Sequence, residues 1–264
     1  MQNLVQEELT VVLVQPDIKW QNPVQNCDMY ARLLDEHSAS ADVIVLPEMF
    51  ATGFSMDSRK AAQTMDGDTI VWMKEQAAQR DAAITGSLAI IENGEYYNRM
   101  LWVEPDGKVL HYDKRHLFRM AGEHERYQSG QERVIVNFRG WDILLQVCYD
   151  LRFPVYSRNR NDYDLALYVA NWPAVRRYPW RTLLAARAIE NLCYVAGVNR
   201  VGTDANELEY SGDSMLLDFK GEVLCDYMQG KVFCASNTLS KSDLLAFREQ
   251  FPAYQDADDF SLNL

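Results

Sequence analysis

Apolar runs of strand length, separated in some places by helical stretches and in others by tight turns, constrain the fold of this 264-residue chain most. Residues 42–46 and 142–148 are runs typical of strands buried on both faces. The Asn-Gly pair at 93–94 and the Pro-Asp-Gly triplet at 105–107 predict hairpins between residues 82 and 112. We therefore expect an α/β fold in which two sheets pack face to face with helices outside. An open doubly wound sheet is the alternative, and the hairpins argue against it.

The remaining elements follow from hydrophobic periodicity and capping signals. Helices are predicted over residues 26–36, 69–80 and 179–192, and Ser240 with Asp243 forms a capping-box-like start for a last helix. Further strands are predicted over residues 9–14, 82–91, 165–169, 193–198, 213–219 and 222–226. The chain contains no internal repeat and no linker-like tract, so we expect a single domain spanning residues 1–264.

Bulk composition argues against several classes of function. The formal net charge is −12, so nucleic acids and anionic membrane surfaces would repel the chain on average. No apolar run reaches the roughly 18–20 residues of a spanning helix, and residues 1–9 lack the pattern of a signal or transit peptide. Five cysteines without a CxxC pair indicate a reducing cytoplasm, and four scattered histidines give little support for a metal site. The densest basic group comprises Arg176, Arg177, Arg181 and Arg187.

Two residue types suited to catalysis follow buried strands directly. Cys148 ends the run 142–148 and enters a turn, where the next backbone N–H can point at a developing oxyanion. A helix that starts there would also lower the pKa of the thiol. Glu48 follows the run 42–46, and strand ends are the usual place of active sites in α/β folds. The alternative for a cysteine is a buried structural role, and we assign that role to the others. These are Cys27, Cys193, Cys225 and Cys234.

Lys114 lies in the basic segment 112–118, which taken alone would be a solvated turn. Amide hydrolysis through a thiol needs a nucleophile, a base and a positive group beside the oxyanion. Cys148, Glu48 and Lys114 supply these three functions. The competing arrangement is a papain-like pair of Cys148 with His116, for which the sequence shows no signature.

The segments 46–50 (LPEMF), 113–118 (DKRHLF) and 147–154 (VCYDLRFP) resemble the nitrilase superfamily. The order Glu, Lys, Cys matches as well, with separations of 66 and 34 positions, and the resemblance extends from the first strand to the region near Phe219. It implies a four-layer αββα sandwich, a homodimer and no cofactor. It also implies a second active-site glutamate, which the pattern of Glu123, Tyr127 and Gly130 places at Glu123; the neighbouring Glu125 is the alternative.

Within that superfamily the chain is most similar to bacterial omega-amidases. The segments 169–173 (VANWP) and 187–191 (RAIEN) contribute to this similarity. It implies hydrolysis of the terminal amide of 2-oxoglutaramate or 2-oxosuccinamate through a Cys148 thioester. The oxyanion would be held by Lys114 and the Tyr149 backbone N–H.

The same resemblance places a substrate-carboxylate arginine at Arg152, four residues after the nucleophile. Phe118 and Trp172 would form apolar walls, and Arg176 is the substitute cation. The alternative is that Arg152 only pairs with Asp150 or Glu48.

Other functions stay open at this stage. A nitrile hydrolase, an N-carbamoyl amidase or an amidase of another acid would share the three residues. A catalytically silent scaffold or binding protein could have the same fold. A metal-dependent phosphodiesterase is a further candidate, because similar four-layer sandwiches occur in that class, but it would need clustered carboxylates with a histidine pair.

Overall fold

A computed structural model describes residues 6–37, 40–226 and 229–262, so residues 1–5 of the amino-terminal segment lie outside the described part. The strands are β1 (Glu8–Gln15), β2 (Val43–Val45), β3 (Ala83–Glu92), β4 (Glu95–Val103), β5 (Val109–Asp113), β6 (Ile135–Phe138), β7 (Trp141–Val147), β8 (Leu165–Val169), β9 (Tyr194–Val198), β10 (Val201–Thr203), β11 (Glu209–Ser211), β12 (Met215–Leu217), β13 (Val223–Asp226) and β14 (Phe233–Ser240). The helices are α1 (Pro23–His37), α2 (Ser58–Ala61), α3 (Asp68–Arg80), α4 (Pro154–Ser157), α5 (Arg177–Asn191) and α6 (Lys241–Gln250). Short 3₁₀ helices include Glu123–Glu125 and Cys148–Arg152.

Two six-stranded sheets dominate the topology. The first has the strand order β14-β1-β2-β3-β4-β5, and the second has the order β13-β12-β9-β8-β7-β6. In each sheet three central strands run parallel, β1-β2-β3 in one and β7-β8-β9 in the other, and antiparallel strands flank them. The parallel centres account for the apolar runs joined by helices, and the antiparallel flanks account for the predicted hairpins. The predicted two-sheet α/β fold is therefore confirmed.

The two sheets share an inner core, and helices cover their outer faces. In β1, Val11 and Leu13 point inward and belong to the same apolar core as Leu145 and Val147 of β7. The alternate residue Val12 belongs to an outer core with α1 and α3, while α5 packs on the outer face of the second sheet. This is the αββα order of layers. A slip of one residue in β1 would exchange its inward and outward sets, so the alternation fixes the register.

Local differences from the predicted elements have physical causes. The strand predicted over 213–219 shortens to Met215–Leu217, because Asp213 binds two arginines and Ser214 donates to the carbonyl of Asn199. The last helix begins as predicted, with Ser240 Oγ accepting from the Asp243 N–H at 3.2 Å. The hairpin β10-β11 and the edge strand β14 have no counterpart in the predicted elements. No helix among the described residues is long and apolar enough to cross a membrane.

Candidate active site

Parallel strands of both sheets end at one edge, and polar residues follow each of them there. Glu48 comes after β2, Cys148 after β7 and Asn171 after β8. Asn171 links the two sheets, because its backbone N–H donates to Glu48 Oε2 at 2.8 Å. Lys114 follows β5 directly, and its side chain turns into the same region. The structure therefore brings together the three residues that the sequence selected.

A buried cluster of charges forms the floor of this region. Lys114 Nζ donates to Glu48 Oε1 at 2.8 Å and to Glu123 Oε2 and Oε1 at 2.9 and 3.1 Å. All three side chains are fully buried. Burial disfavours the ammonium, but the carboxylates of Glu123 and Glu48 outweigh that effect and raise the pKa of Lys114, so the lysine stays charged. Glu125, the alternative second glutamate, has a side chain that is 67% exposed, whereas Glu123 binds the lysine.

Cys148 occupies a strained turn above the cluster. Its φ is +48°, a left-handed conformation that non-glycine residues seldom adopt and that often marks functional sites. Burial and the negative charge of Glu48 raise the pKa of the thiol well above its ordinary value, against the opposing charge of Lys114. The expectation that the helix start would lower this pKa is wrong, because loss of solvation dominates. A neutral thiol must give up its proton to react, and the Glu48 carboxylate is a neighbouring group able to accept it.

Asp150 braces the turn that carries Cys148. One carboxylate oxygen accepts from the Val147 N–H at 2.9 Å and from the Tyr112 hydroxyl at 2.8 Å. The other accepts from the His116 backbone N–H at 3.0 Å and lies 2.7 Å from His116 Nδ1. The His116 ring also stacks on Phe153, with centroids 3.8 Å apart. His116 is thus bound to Asp150, and no contact between His116 and the thiol occurs among the described residues, so the papain-like pair is not formed.

A cavity of about 280 Å³ opens above Cys148. The substitute cation Arg176 lines it, as do the four residues predicted to contact substrate, which are Phe118, Tyr149, Arg152 and Trp172. The Arg152 guanidinium lies 5.0 Å from the centre of the Trp172 ring, and the Arg176 guanidinium lies 5.3 Å from that of Phe118. Neither guanidinium has an ion pair with a carboxylate in the described part of the chain, so the alternative pairing of Arg152 is not observed.

A sequence profile of the carbon-nitrogen hydrolase family matches residues 10–239, which extends beyond the resemblance seen near Phe219. The chain belongs to the carbon-nitrogen hydrolase family. It is 51% identical over 254 residues to omega-amidase YafV of Yersinia enterocolitica, covering 96% of this chain and 98% of that protein. It is 32% identical over 222 residues to the 2-oxoglutaramate amidase of Bacillus subtilis, covering 82% and 85%.

A solved structure extends the comparison from sequence to fold. XC1258 of Xanthomonas campestris, described as a CN-hydrolase superfamily protein with an arsenic adduct in its active site, is 47% identical. The two structures superpose with a TM-score of 0.95, over 98% of this chain and 100% of that one. This carbon-nitrogen hydrolase therefore shares its αββα architecture with a protein that is identical to it at nearly half of the aligned positions.

Several residues of this carbon-nitrogen hydrolase were not selected from its sequence. Asn171 could have been, because it follows a buried strand directly, as Glu48 and Cys148 do. Asn98 donates to both active-site carboxylates from the middle of β4, where a single polar residue gives no signal. The β10-β11 hairpin adds further lining residues, which are Asp204, Asn206, Leu208 and Tyr210. Within residues 6–37, 40–226 and 229–262, no group of three or more His, Cys, Asp or Glu is arranged to hold a metal ion.

Proposed function

We propose that this protein is an omega-amidase, which hydrolyses the terminal amide of 2-oxoglutaramate or 2-oxosuccinamate to ammonia and the oxo-dicarboxylate. The observation that carries the proposal is a cavity at Cys148 lined by two arginine side chains that form no ion pair with any carboxylate of the described residues. The relatives that are named omega-amidase and 2-oxoglutaramate amidase support it.

The distribution of charge in the cavity fits a small substrate with one remote carboxylate. The floor holds one cation and two carboxylates, which suits a neutral amide, whereas Arg152 and Arg176 lie on the cavity wall. The Asp204 carboxylate also lines the wall, but it already accepts hydrogen bonds from two backbone N–H groups and the Tyr210 hydroxyl. An arginine can bind a carboxylate through two parallel hydrogen bonds, and this contact fixes the orientation of the substrate. A volume near 280 Å³ lies at the small end of ligand pockets, which favours a short carbon chain between the two groups.

The first half of the reaction forms a thioester. Glu48 takes the proton of Cys148, and the sulfur attacks the amide carbon to form the C–S bond. The oxyanion is held by the Lys114 ammonium and the Tyr149 backbone N–H, which lies in the first turn of a 3₁₀ helix and has no intrahelical acceptor. Glu48 then passes its proton to the nitrogen, the C–N bond breaks and ammonia leaves.

The second half releases the acid. Glu48 takes a proton from water, and the hydroxide attacks the thioester carbon. The C–S bond breaks, the carboxylic acid product leaves and gives its proton to solvent, and Cys148 recovers the proton from Glu48. In this scheme Glu123 holds Lys114 and the substrate amide in position, which its two hydrogen bonds to Nζ support. Phe118 and Trp172 pack beside the carbon chain.

Ammonia release from a substrate panel tests the proposal. The panel contains 2-oxoglutaramate, 2-oxosuccinamate, glutamine, an N-carbamoyl amino acid and a small aliphatic nitrile. We expect the highest kcat/KM for the two oxo-acid amides. A higher kcat/KM for the nitrile or the carbamoyl compound would show that the protein is another kind of thiol hydrolase and not an omega-amidase. No turnover together with an inert Cys148 thiol would favour the scaffold. Hydrolysis of a phosphodiester that a chelator abolishes, with no ammonia release from the panel, would favour the phosphodiesterase.

The assembly and location of the enzyme complete the proposal. A homodimer is supported by apolar side chains that are open to solvent around the start of α5, where Val175, in the turn before the helix, and Tyr178 are 84% and 79% exposed. Light scattering should give twice the chain mass, and Tyr178→Glu should reduce it to the chain mass. A cytoplasmic location, without nucleic-acid or membrane partners, is supported by the net charge of −12 and by free thiols at Cys27, Cys193 and Cys234.

A further inference from the structure

Asn98 is the only described side chain that donates to both active-site carboxylates besides Lys114. Its Nδ2 lies 2.8 Å from Glu48 Oε1 and 3.0 Å from Glu123 Oε1. The same two oxygens accept from Lys114 Nζ, at 2.8 and 3.1 Å. Two nitrogens and two oxygens therefore form a closed ring of hydrogen bonds, in which a neutral amide and an ammonium each bridge both glutamates.

The position of Asn98 follows from strand periodicity. In β4 it shares a face with Met100 and Trp102, which point into the core between the sheets. Asn98 is fully buried at the end of that face, where the core gives way to the charged cluster. Its backbone carbonyl also accepts from the Lys114 N–H at 2.9 Å. One residue thus contacts the base, the cation and the second glutamate.

Ser87 fixes the orientation of the Asn98 amide. The Ser87 hydroxyl donates to Asn98 Oδ1 at 2.8 Å and accepts from the Met49 N–H at 2.8 Å. With Oδ1 held in this way, the amide must turn its Nδ2 hydrogens toward the carboxylates. Met49 follows Glu48 and has a φ of +42°, so Ser87 also holds the strained turn that presents the base. The pair Ser87–Asn98 therefore fixes both ends of the Glu48 side chain.

The consequence concerns which oxygen of Glu48 carries the proton. Oε1 accepts from both Asn98 and Lys114, so both of its lone pairs are occupied. Among the described residues Oε2 accepts from no nitrogen other than the Asn171 N–H, so it keeps one lone pair for the thiol. We propose that Asn98, oriented by Ser87, is a positioning residue that locks Glu48 Oε1 and so makes Oε2 the atom that exchanges protons with Cys148. This inference rests on the proposed thiol chemistry and assigns a role to two residues outside the Glu-Lys-Cys set.

Two variants and one control test this role. Asn98→Leu removes the donor at similar volume, and Ser87→Ala removes only its orientation. Asn159→Leu is the control: Asn159 is another buried asparagine, which donates to the Tyr163 and Asn191 carbonyls away from the cavity. Urea unfolding establishes that each variant is folded. The control variant gives the loss in free energy of unfolding that altered packing alone produces. The functional measurements are the pH profile of kcat/KM and the rate at which iodoacetamide alkylates Cys148, located by peptide mass spectrometry.

We expect Asn98→Leu to lower kcat about 100-fold at nearly unchanged KM, because a misplaced base costs rate and leaves substrate contacts intact. Its acid limb in kcat/KM should move to higher pH, since the carboxylates lose a donor that favours their charged forms. Ser87→Ala should lower kcat about tenfold and should also move the acid limb of kcat/KM to higher pH. Alkylation of Cys148 at neutral pH should slow in both variants and stay unchanged in Asn159→Leu.

A wild-type pH profile and a wild-type alkylation rate in folded Asn98→Leu would overturn the inference. If Asn98→Leu cannot be folded, the same two results in Ser87→Ala would overturn it. Alkylation needs no amide substrate, so the omega-amidase proposal can fail on the substrate panel while slowed alkylation still supports the role of Asn98.

Discussion

Replacing Lys114 by methionine tests the charge balance at the floor of the cavity. The Nζ atom makes three hydrogen bonds to two carboxylates, and the lysine and both glutamates are fully buried. Methionine keeps most of the side-chain volume but leaves Glu48 and Glu123 without a cation. Removing one partner of a buried ion pair costs about 3–5 kcal/mol. Because a domain is typically stable by about 5–15 kcal/mol, we expect a variant that folds but unfolds at much lower urea.

The cost of Lys114→Met should depend on pH in a defined direction. Burial raises the pKa of Glu123, and Lys114 is the largest effect that lowers it, so the variant has a still higher folded-state pKa. An acid with a raised folded-state pKa binds more protons folded than unfolded, so stability falls as pH rises. The difference in free energy of unfolding between wild type and variant should therefore be larger at pH 8 than at pH 5.5, measured by urea titration.

Lys241→Met is the matched control for Lys114→Met. Lys241 is a mostly buried lysine on α6 that donates to the Gly140 carbonyl at 3.0 Å and pairs with Asp164, which keeps Arg248 as a second cation. The Lys241→Met variant should be less stable than wild type and should retain the wild-type kcat/KM. Lys114→Met should lose about 10²–10³ in kcat, the effect of one oxyanion donor. Turnover within a few-fold of wild type, or an unfolding penalty equal at both pH values, would refute the reasoning.

Three further predictions concern the cavity and the thiols. Arg152→Met should raise KM for 2-oxoglutaramate about 10- to 100-fold, because charge-assisted hydrogen bonds are lost, and should raise KM much less for an uncharged amide of similar length. Equal increases in KM for both substrates would show that Arg152 does not bind the carboxylate. If KM rises selectively for 2-oxoglutaramate only in Arg176→Met, Arg176 is the residue that binds it. Glu123→Gln should lower kcat at least about tenfold and Glu125→Gln should not; the reverse order in an ammonia assay would exchange the two glutamates. Cys148→Ala should abolish ammonia release by a folded protein. Serine should be tolerated at the other cysteines, which are Cys27, Cys193, Cys225 and Cys234. A second essential thiol would count against the assignment of Cys148 as the nucleophile.

The central strands were predictable from sequence because their burial is local information. Residues 42–46 and 142–148 are apolar on both faces, and the structure has β2 and β7 there. Strand β14 was not predictable in this way, since the polar run of residues 236–238 interrupts its apolar positions and its partner β1 lies more than 200 positions earlier. The pairing of β14 with β1 is decided by packing of the completed sheets, which local hydrophobic periodicity does not report.

The site divides along the same line. Glu48 and Cys148 could be selected because strand ends expose chemistry, and Lys114 because the three motifs together match a family. The same pattern favoured Glu123 over Glu125, and Glu123 is the one of the two that contacts Lys114. Asn98 could not be found, because its function depends on the side chain of Ser87 on the neighbouring strand and on two glutamates far away in sequence. The raised pKa of the Cys148 thiol was also missed, since the depth of burial is a property of the folded chain.

Mapping the acyl group on the enzyme tests the central claim, a Cys148 thioester, most directly. Wild-type enzyme is mixed with 2-oxoglutaramate, quenched in acid within its first turnovers and digested for peptide mass spectrometry. The account predicts that the peptide containing Cys148 gains the mass of the substrate acyl group, that neutral hydroxylamine removes this mass, and that the other four cysteines stay unmodified. Rapid ammonia release with no acyl group on Cys148, or with the acyl group on another residue, would contradict it.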